Sequence, residues 1–155
     1  MDDPLKKVFS LAQITSNDIF DEYCVKSGGS ICIVTFLPHV LDVTPEVRKE
    51  QVQMIEDVRK KFIGKPFNFL WSQGGDQFDW EESMNLGFGY PAVVAITVAK
   101  KKFATMRSSW SKEKLISFVN GLAMNKEYFS DMRELPKLKK ATLWKAEDKS
   151  EKVDL

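Results

Sequence analysis

The chain has 155 residues, 43% of them apolar, which at this length suits one packed domain, or one domain with a tail. Its 23 Lys and Arg against 22 Asp and Glu leave a formal charge of +1, so no global field favours nucleic acid or an acidic membrane. Two cysteines (Cys24, Cys32) and one histidine (His39) cannot build a four-ligand Cys/His zinc site or a disulfide-dense scaffold, and no apolar run is long enough for a membrane span.

In chain order, Lys7 to Leu11 reads as a short strand carrying Val8, Phe9 and Leu11. Thr15 and Asp18 have the spacing of a capping box, and the helix they open places Ile19, Phe20, Tyr23 and Cys24 on one stripe. Gly28-Gly29 ends it, and the β-branched run from Ser30 to Leu37 reads as a strand buried on both faces. Thr44-Pro45-Glu46 has the order of an N-cap, a first-turn proline and an acid near the positive end of the helix dipole; Val47, Met54, Ile55, Val58 and Phe62 form the expected core face. Lys65 to Trp71 is the next strand, with Phe67, Phe69 and Trp71 alternating against Leu70.

After Gly74-Gly75, a short acidic helix is predicted around Asp79 to Asn85. Gly87-Phe88-Gly89-Tyr90-Pro91 leads into a strand from Ala92 to Val98, and Lys100-Lys101-Lys102 reads as the solvated turn of a hairpin returning through Phe103 to Arg107. Ser111 caps a last helix with Leu115, Phe118, Val119 and Leu122 on its core face. The predicted order is β-α-β-α-β-α-β-β-α over residues 1–124, an α/β architecture around a mixed central sheet. Residues 125–155 form a charged tail, with Leu135 to Trp144 expected to dock and Lys145 to Leu155 expected to be disordered.

This order, with a proline entering the antiparallel half, resembles a thioredoxin fold. Three stretches narrow the resemblance: Thr35-Phe36-Leu37-Pro38-His39-Val40-Leu41-Asp42, Phe69-Leu70-Trp71, and Leu86-Gly87-Phe88-Gly89-Tyr90-Pro91-Ala92. They are similar to the C-terminal, redox-inactive thioredoxin-like domain of protein disulfide isomerases that carry two catalytic domains ahead of it. The resemblance runs from about Val8 to Leu122. It implies the endoplasmic reticulum lumen, preceding catalytic domains in a longer parent chain, and unfolded client proteins as partners. The lack of a secretory signal at Met1-Asp2-Asp3-Pro4 fits a C-terminal piece, and Lys152-Val153-Asp154-Leu155 resembles a degenerate retrieval signal of the K-D-E-L class.

Dithiol exchange in this fold needs two cysteines two residues apart at a helix N-terminus, where the dipole favours the thiolate. That position falls near Leu41-Asp42-Val43-Thr44 and holds no sulfur. No catalytic residue, metal or cofactor is therefore assigned. Cys24 and Cys32 admit three readings: buried free thiols, a structural disulfide across the Gly-Gly reversal, or a regulatory redox pair. The family's pair of cysteines near this place, at a shorter spacing, favours the disulfide.

The resemblance also places a cis-proline at Pro91 and a client-peptide groove lined by Leu37, Pro38, His39, Leu41, Phe88, Tyr90 and Pro91. The alternative is that Pro91 only sets the bend while Phe88 and Tyr90 fill the core. His39 has no partner nucleophile and reads as a hydrogen-bonded structural residue. Trp71, Trp80 and Trp110 read as core and lid. The acids Asp76, Asp79, Glu81 and Glu82 read as a solvated face without the spacing of a calcium loop. The expected function is a non-catalytic scaffold and client-binding module, against two alternatives: an assembly module without a groove, or a stand-alone thiol enzyme using Cys24 or Cys32.

Overall fold

The computed structural model describes residues 8–87 and 89–145. The β-branched run becomes β2 (Ile31–Leu37), the centre of a mixed sheet. It pairs in parallel with β3 (Phe67–Gln73), from Ile31 opposite Phe67 to Leu37 opposite Gln73. On its other side it runs antiparallel to β4 (Ala92–Thr97), with Cys32 opposite Ile96 and Phe36 opposite Ala92. β5 (Lys102–Thr105) extends the antiparallel half. Two short strands close the edges: β1 (Ala12–Gln13), parallel to β3, and β6 (Ser130–Asp131), antiparallel to β5. The sheet order is β1-β3-β2-β4-β5-β6.

Because side chains alternate along a strand, the sheet divides the apolar residues into two cores. Ile33, Leu37, Phe69, Trp71, Val93 and Ala95 face α2 (Pro45–Lys61) and α4 (Lys112–Ala123). Cys32, Val34, Phe36, Leu70 and Val94 face the opposite way, toward Phe20 and Cys24 of α1 (residues 17–25) and Trp80 of α3 (Phe78–Ser83). The rings of Phe20 and Phe36 meet Trp80 edge-on at 5.4 and 5.5 Å between centroids, which places Trp80 in this core.

Local sequence explains both long helices. The Thr44 Oγ1 accepts the Val47 N–H at 3.2 Å, with Pro45 in the first turn where no N–H is missed. The Ser111 Oγ accepts the Lys114 N–H at 3.1 Å at the head of α4. α1 spans residues 17–25; its first turn, Asn17–Phe20, is α-helical, and Asp21–Val25 is wound more widely as a π-helix, with the Lys26 N–H reaching back to the Asp21 carbonyl at 2.8 Å. Gly28 and Gly29, at φ of 75° and 95°, then reverse the chain into β2.

Four expectations need correction. Among the described residues the first strand lies at Ala12–Gln13 and Val8 to Leu11 is not a strand, because the Ile14 N–H and β1 itself pair with the middle of β3, where Leu70 and Trp71 offer a free edge; Lys7 lies outside the described residues. The capping box is not formed; Ser16 holds the N-cap position without a side-chain bond, and the Thr15 carbonyl accepts the Ala141 N–H instead. Lys102 belongs to β5 and pairs with Asp131 at 2.8 Å rather than lying in the turn. On α2, Val47 is exposed and Arg48 is buried, so the core stripe starts one residue later, with Arg48 in register with Ile55.

The chain past Met124 continues the folded unit. Its β6 covers the edge of β5, and Met132 is buried, its N–H donating to the Lys101 carbonyl at 2.8 Å. Farther on, Gln77 holds Lys139 through both of its amide atoms, each at 2.8 Å. Gln13 likewise accepts from the Trp144 N–H at 2.8 Å and donates to the Thr142 carbonyl at 3.0 Å. The Trp144 ring meets Trp71 edge-on at 6.2 Å. The tetrapeptide from Lys152 to Leu155 lies outside the described residues.

Candidate functional site

The C-terminal end of β2 runs out through Pro38, His39 and the loop before α2, while β4 begins just after Pro91 on the neighbouring strand. The two loops therefore meet at one end of the sheet. The Tyr90–Pro91 bond is cis. Between Pro38 and Thr44, where the fold would carry its dithiol, there is no sulfur.

The loop after β2 is held from beneath. The His39 Nδ1 accepts the Leu41 N–H at 3.1 Å and the His39 carbonyl accepts the Asp42 N–H at 2.8 Å, so the histidine shapes its own turn. The Val40 N–H donates to Gln73 Oε1 at 3.0 Å. Arg48, only 1% exposed, donates from Nη2 to the Pro38 carbonyl and lies 3.5 Å from the same Gln73 oxygen. Its guanidinium sits over the rings of Trp71 and Trp144, at 5.1 and 5.8 Å from their centroids. Burial pulls its pKa below the ordinary value, and the nearby charge of Asp76 partly restores it.

The cis-proline loop has its own anchor. Glu81, 4% exposed, accepts the Gly75 N–H at 2.9 Å and the Tyr90 hydroxyl at 2.5 Å. Burial, then the hydrogen bond and negative charge of Glu81, push the Tyr90 pKa up to about 12. The ring lies so close over Gly74 that a Cβ there would stand 2.7 Å from two of its carbons and 2.9 Å from the Leu37 carbonyl oxygen. That carbonyl accepts the Gly74 N–H at 2.6 Å, joining the ends of β2 and β3. A cleft of about 410 Å³ opens beside Tyr90, between Phe78, Glu82 and Leu86.

Of the seven predicted groove residues, the structure brings Pro38, His39, Leu41, Tyr90 and Pro91 to this end of the sheet. Leu41 is 86% exposed and Tyr90 41%. Leu37 is fully buried in the core under α2, because the odd positions of β2 face α2 and α4; its side chain does not line a groove. Phe88 lies outside the described residues. Glu81 departs from the solvated acidic face expected of it. Arg48 and Gln73 went unnoticed in the sequence; the available signal was the spacing of Arg48 from Ile55 and Phe62, which puts a cation on an apolar stripe.

The sulfurs are elsewhere. Cys24 and Cys32 form a disulfide, S–S 2.05 Å, that ties the end of α1 to the start of β2 inside the second core. Cys32 lies five residue steps of extended strand before Leu37, about 16 Å. A second cleft, about 720 Å³, lies at the opposite end of β2 and β3, around Ser30, Phe67 and Asn68. Two of its cations are already paired, Arg59 with Glu56 at 2.8 Å and Lys26 with Asp21 at 3.5 Å. Among the described residues no group of His, Cys, Asp and Glu is placed to hold a metal, and no helix is long and apolar enough to cross a membrane.

Residues 2–127 match the family model of the PDIA6-like, C-terminal thioredoxin-like domain. The chain belongs to that family. Protein disulfide-isomerase 2-3 of Arabidopsis thaliana is 30% identical over 139 residues, covering 89% of this chain and 31% of the relative. Protein disulfide-isomerase A6 of Homo sapiens is 31% identical over 117 residues, covering 75% of this chain and 26% of the relative. The chain thus spans about a quarter to a third of the curated relatives it matches.

Solved structures agree on the fold. The bb fragment of ERp72 superposes with a TM-score of 0.57 at 13% identity, over 76% of this chain and 50% of that one. The first thioredoxin domain of mouse protein disulfide-isomerase A4 does so with 0.53 at 11% identity, over 92% and 94%. The α/β thioredoxin-like expectation is borne out, and so is the resemblance to the protein disulfide isomerases.

Proposed function

We propose that this PDIA6-like domain is a non-catalytic scaffold of the endoplasmic reticulum lumen that binds unfolded client chains at its cis-proline edge. It would hold them near catalytic dithiols carried by other domains of a longer protein. The observation that carries the reading is the separation of sulfur from site. Both cysteines are spent on one buried disulfide, while the loop at the head of α2 and the Tyr90–Pro91 edge are built without a thiol.

An extended peptide would pair with the exposed backbone beside Pro91, with Pro38, His39, Leu41 and Tyr90 as its side-chain surroundings. Tethering a client in this way raises its effective concentration at a neighbouring dithiol without altering the chemical step. The domain family and the curated relatives, all protein disulfide-isomerases, support the compartment and the company.

Two measurements test this reading. The isolated chain should not accelerate reduction of insulin by a dithiol; measurable turnover refutes the non-catalytic assignment. Titration with reduced, alkylated insulin B chain should shift the amide resonances of His39, Leu41 and Tyr90. Unmoved resonances there reject the client edge and leave an assembly module as the better account.

A further inference from the structure

The loop after β2 depends on a cation whose environment is completed by a distant part of the chain. Arg48 Nη2 bonds the Pro38 carbonyl, and Gln73, which shares its reach, bonds the Val40 N–H at 3.0 Å. The remaining guanidinium nitrogens, Nε and Nη1, are buried without a hydrogen-bond partner among the described residues. The charge is compensated by the faces of Trp71 and Trp144, 5.1 and 5.8 Å away, and by Asp76 through space. A buried cation compensated this way is costly to leave half-covered, because removing one partner strands the charge.

Trp144 comes from outside the core elements. Residues 138–144 lie against the body through separate side-chain and backbone bonds: Leu138 N–H to Asn17 Oδ1 at 3.2 Å, the Gln77 amide to both backbone groups of Lys139 at 2.8 Å, Ala141 N–H to the Thr15 carbonyl at 2.9 Å, and the Gln13 amide to Thr142 and Trp144. These contacts form no continuous ladder with β1. A segment held by separate hydrogen bonds, the half-buried Leu138 and one indole, with no strand ladder, opens more readily than the sheet beneath it.

We propose that Arg48 is the positioning residue of the candidate client edge, and that residues 138–144 are a strap whose docked Trp144 sets that position. With the strap down, the guanidinium lies against two indoles and holds the Pro38 carbonyl, so the loop is ordered before a client arrives. With the strap released, Trp71 and Arg48 meet water, the hold on Pro38 weakens, and ordering of the loop opposes binding. Coupling of this kind is reciprocal, so a bound client also protects the strap. The client half of the inference rests on the function proposed above; the loop half does not.

The test uses the full chain and two ways of releasing the strap. Trp144→Ala removes the indole, and Gln13→Leu removes the amide that holds the strap backbone at Thr142 and Trp144 while leaving Arg48 and both rings in place. Both should speed hydrogen exchange at the Val40 and Asp42 amides and weaken binding of reduced, alkylated insulin B chain by about three- to tenfold. Trp144→Phe should recover much of the loss. Ile55→Val, which destabilises the same core without touching the strap, should leave Val40 exchange and peptide affinity near the parent values once global stability is allowed for.

Unchanged Val40 exchange in both strap variants overturns the proposal, and so does an equal change in Ile55→Val. If Val40 exchange rises as expected but the parent chain binds no peptide, the positioning role stands and the client reading falls.

Discussion

At the residue scale, the edge before Pro91 is governed by one carboxylate and one phenol. Tyr90 is 41% exposed, yet its hydroxyl meets Glu81 Oε1 at 2.5 Å and its pKa rises to about 12. An unfolded tyrosine titrates near 10, so the folded chain holds this proton more tightly than the unfolded one. The contribution to stability is therefore complete below about pH 10 and is lost as the pH rises from there through about 12. With solvent screening of a partly exposed ring it amounts to about 1 kcal/mol. Urea midpoints measured across that alkaline range should fall for the parent chain and fall less for Tyr90→Phe; parallel curves would show that the Glu81 contact does not hold Tyr90. Glu81 was not legible as buried in the sequence, and for Arg48 the one signal was its spacing from Ile55 and Phe62 on an apolar stripe. A charged side chain enters the interior only where tertiary partners compensate it, and those partners here lie on other elements: Tyr90 and Gly75 for Glu81, Pro38, Trp71 and Trp144 for Arg48.

At the scale of elements, local chemistry made the long helices and inner strands readable. Thr44-Pro45 and Ser111 carry their caps in the sequence, and the alternation in β3 and the apolar runs of β2 and β4 specify a buried sheet. The two-residue strands β1 and β6 were not readable, because each exists only as a partner for an edge and buries too little to leave a pattern. The disulfide sits between these cases: spacing and glycines allowed it, but the alternatives closed only when α1 and β2 were seen to bring the sulfurs together. Its loop of about nine residues restricts the unfolded chain by about 2–3 kcal/mol in the chain-entropy model. Cys24→Ala/Cys32→Ala should lower the unfolding free energy by about that amount in urea titration, less any native-state repacking. The double variant should still bind reduced, alkylated insulin B chain as the parent does, since the sulfurs lie far down β2 from the edge. A matching loss of affinity would instead tie the disulfide to the site.

At the scale of the whole molecule, the sheet ends on an edge that the core elements do not protect. β5 has β4 on one side, and on the other only β6, drawn from beyond Met124. The pairing covers Lys102 and Phe103, and the Lys102 ammonium bonds Asp131 at 2.8 Å across it. That ion pair is solvent-exposed and adds little by itself; the backbone bonds and the burial of Met132 matter more. A chain ending at Met124 would keep every predicted core element and still lose both the cover of β5 and the indole over Arg48. It should unfold at lower urea, by about 2–4 kcal/mol for the lost apolar burial, hydrogen bonds and aromatic contact, offset by the entropy of a shorter ordered chain. It should also self-associate, because an unpaired strand end invites a second one. Light scattering at rising protein concentration reads the second effect separately from the first. A truncated chain that stays monomeric and as stable as the parent would show that residues 125–145 merely rest on a domain complete without them.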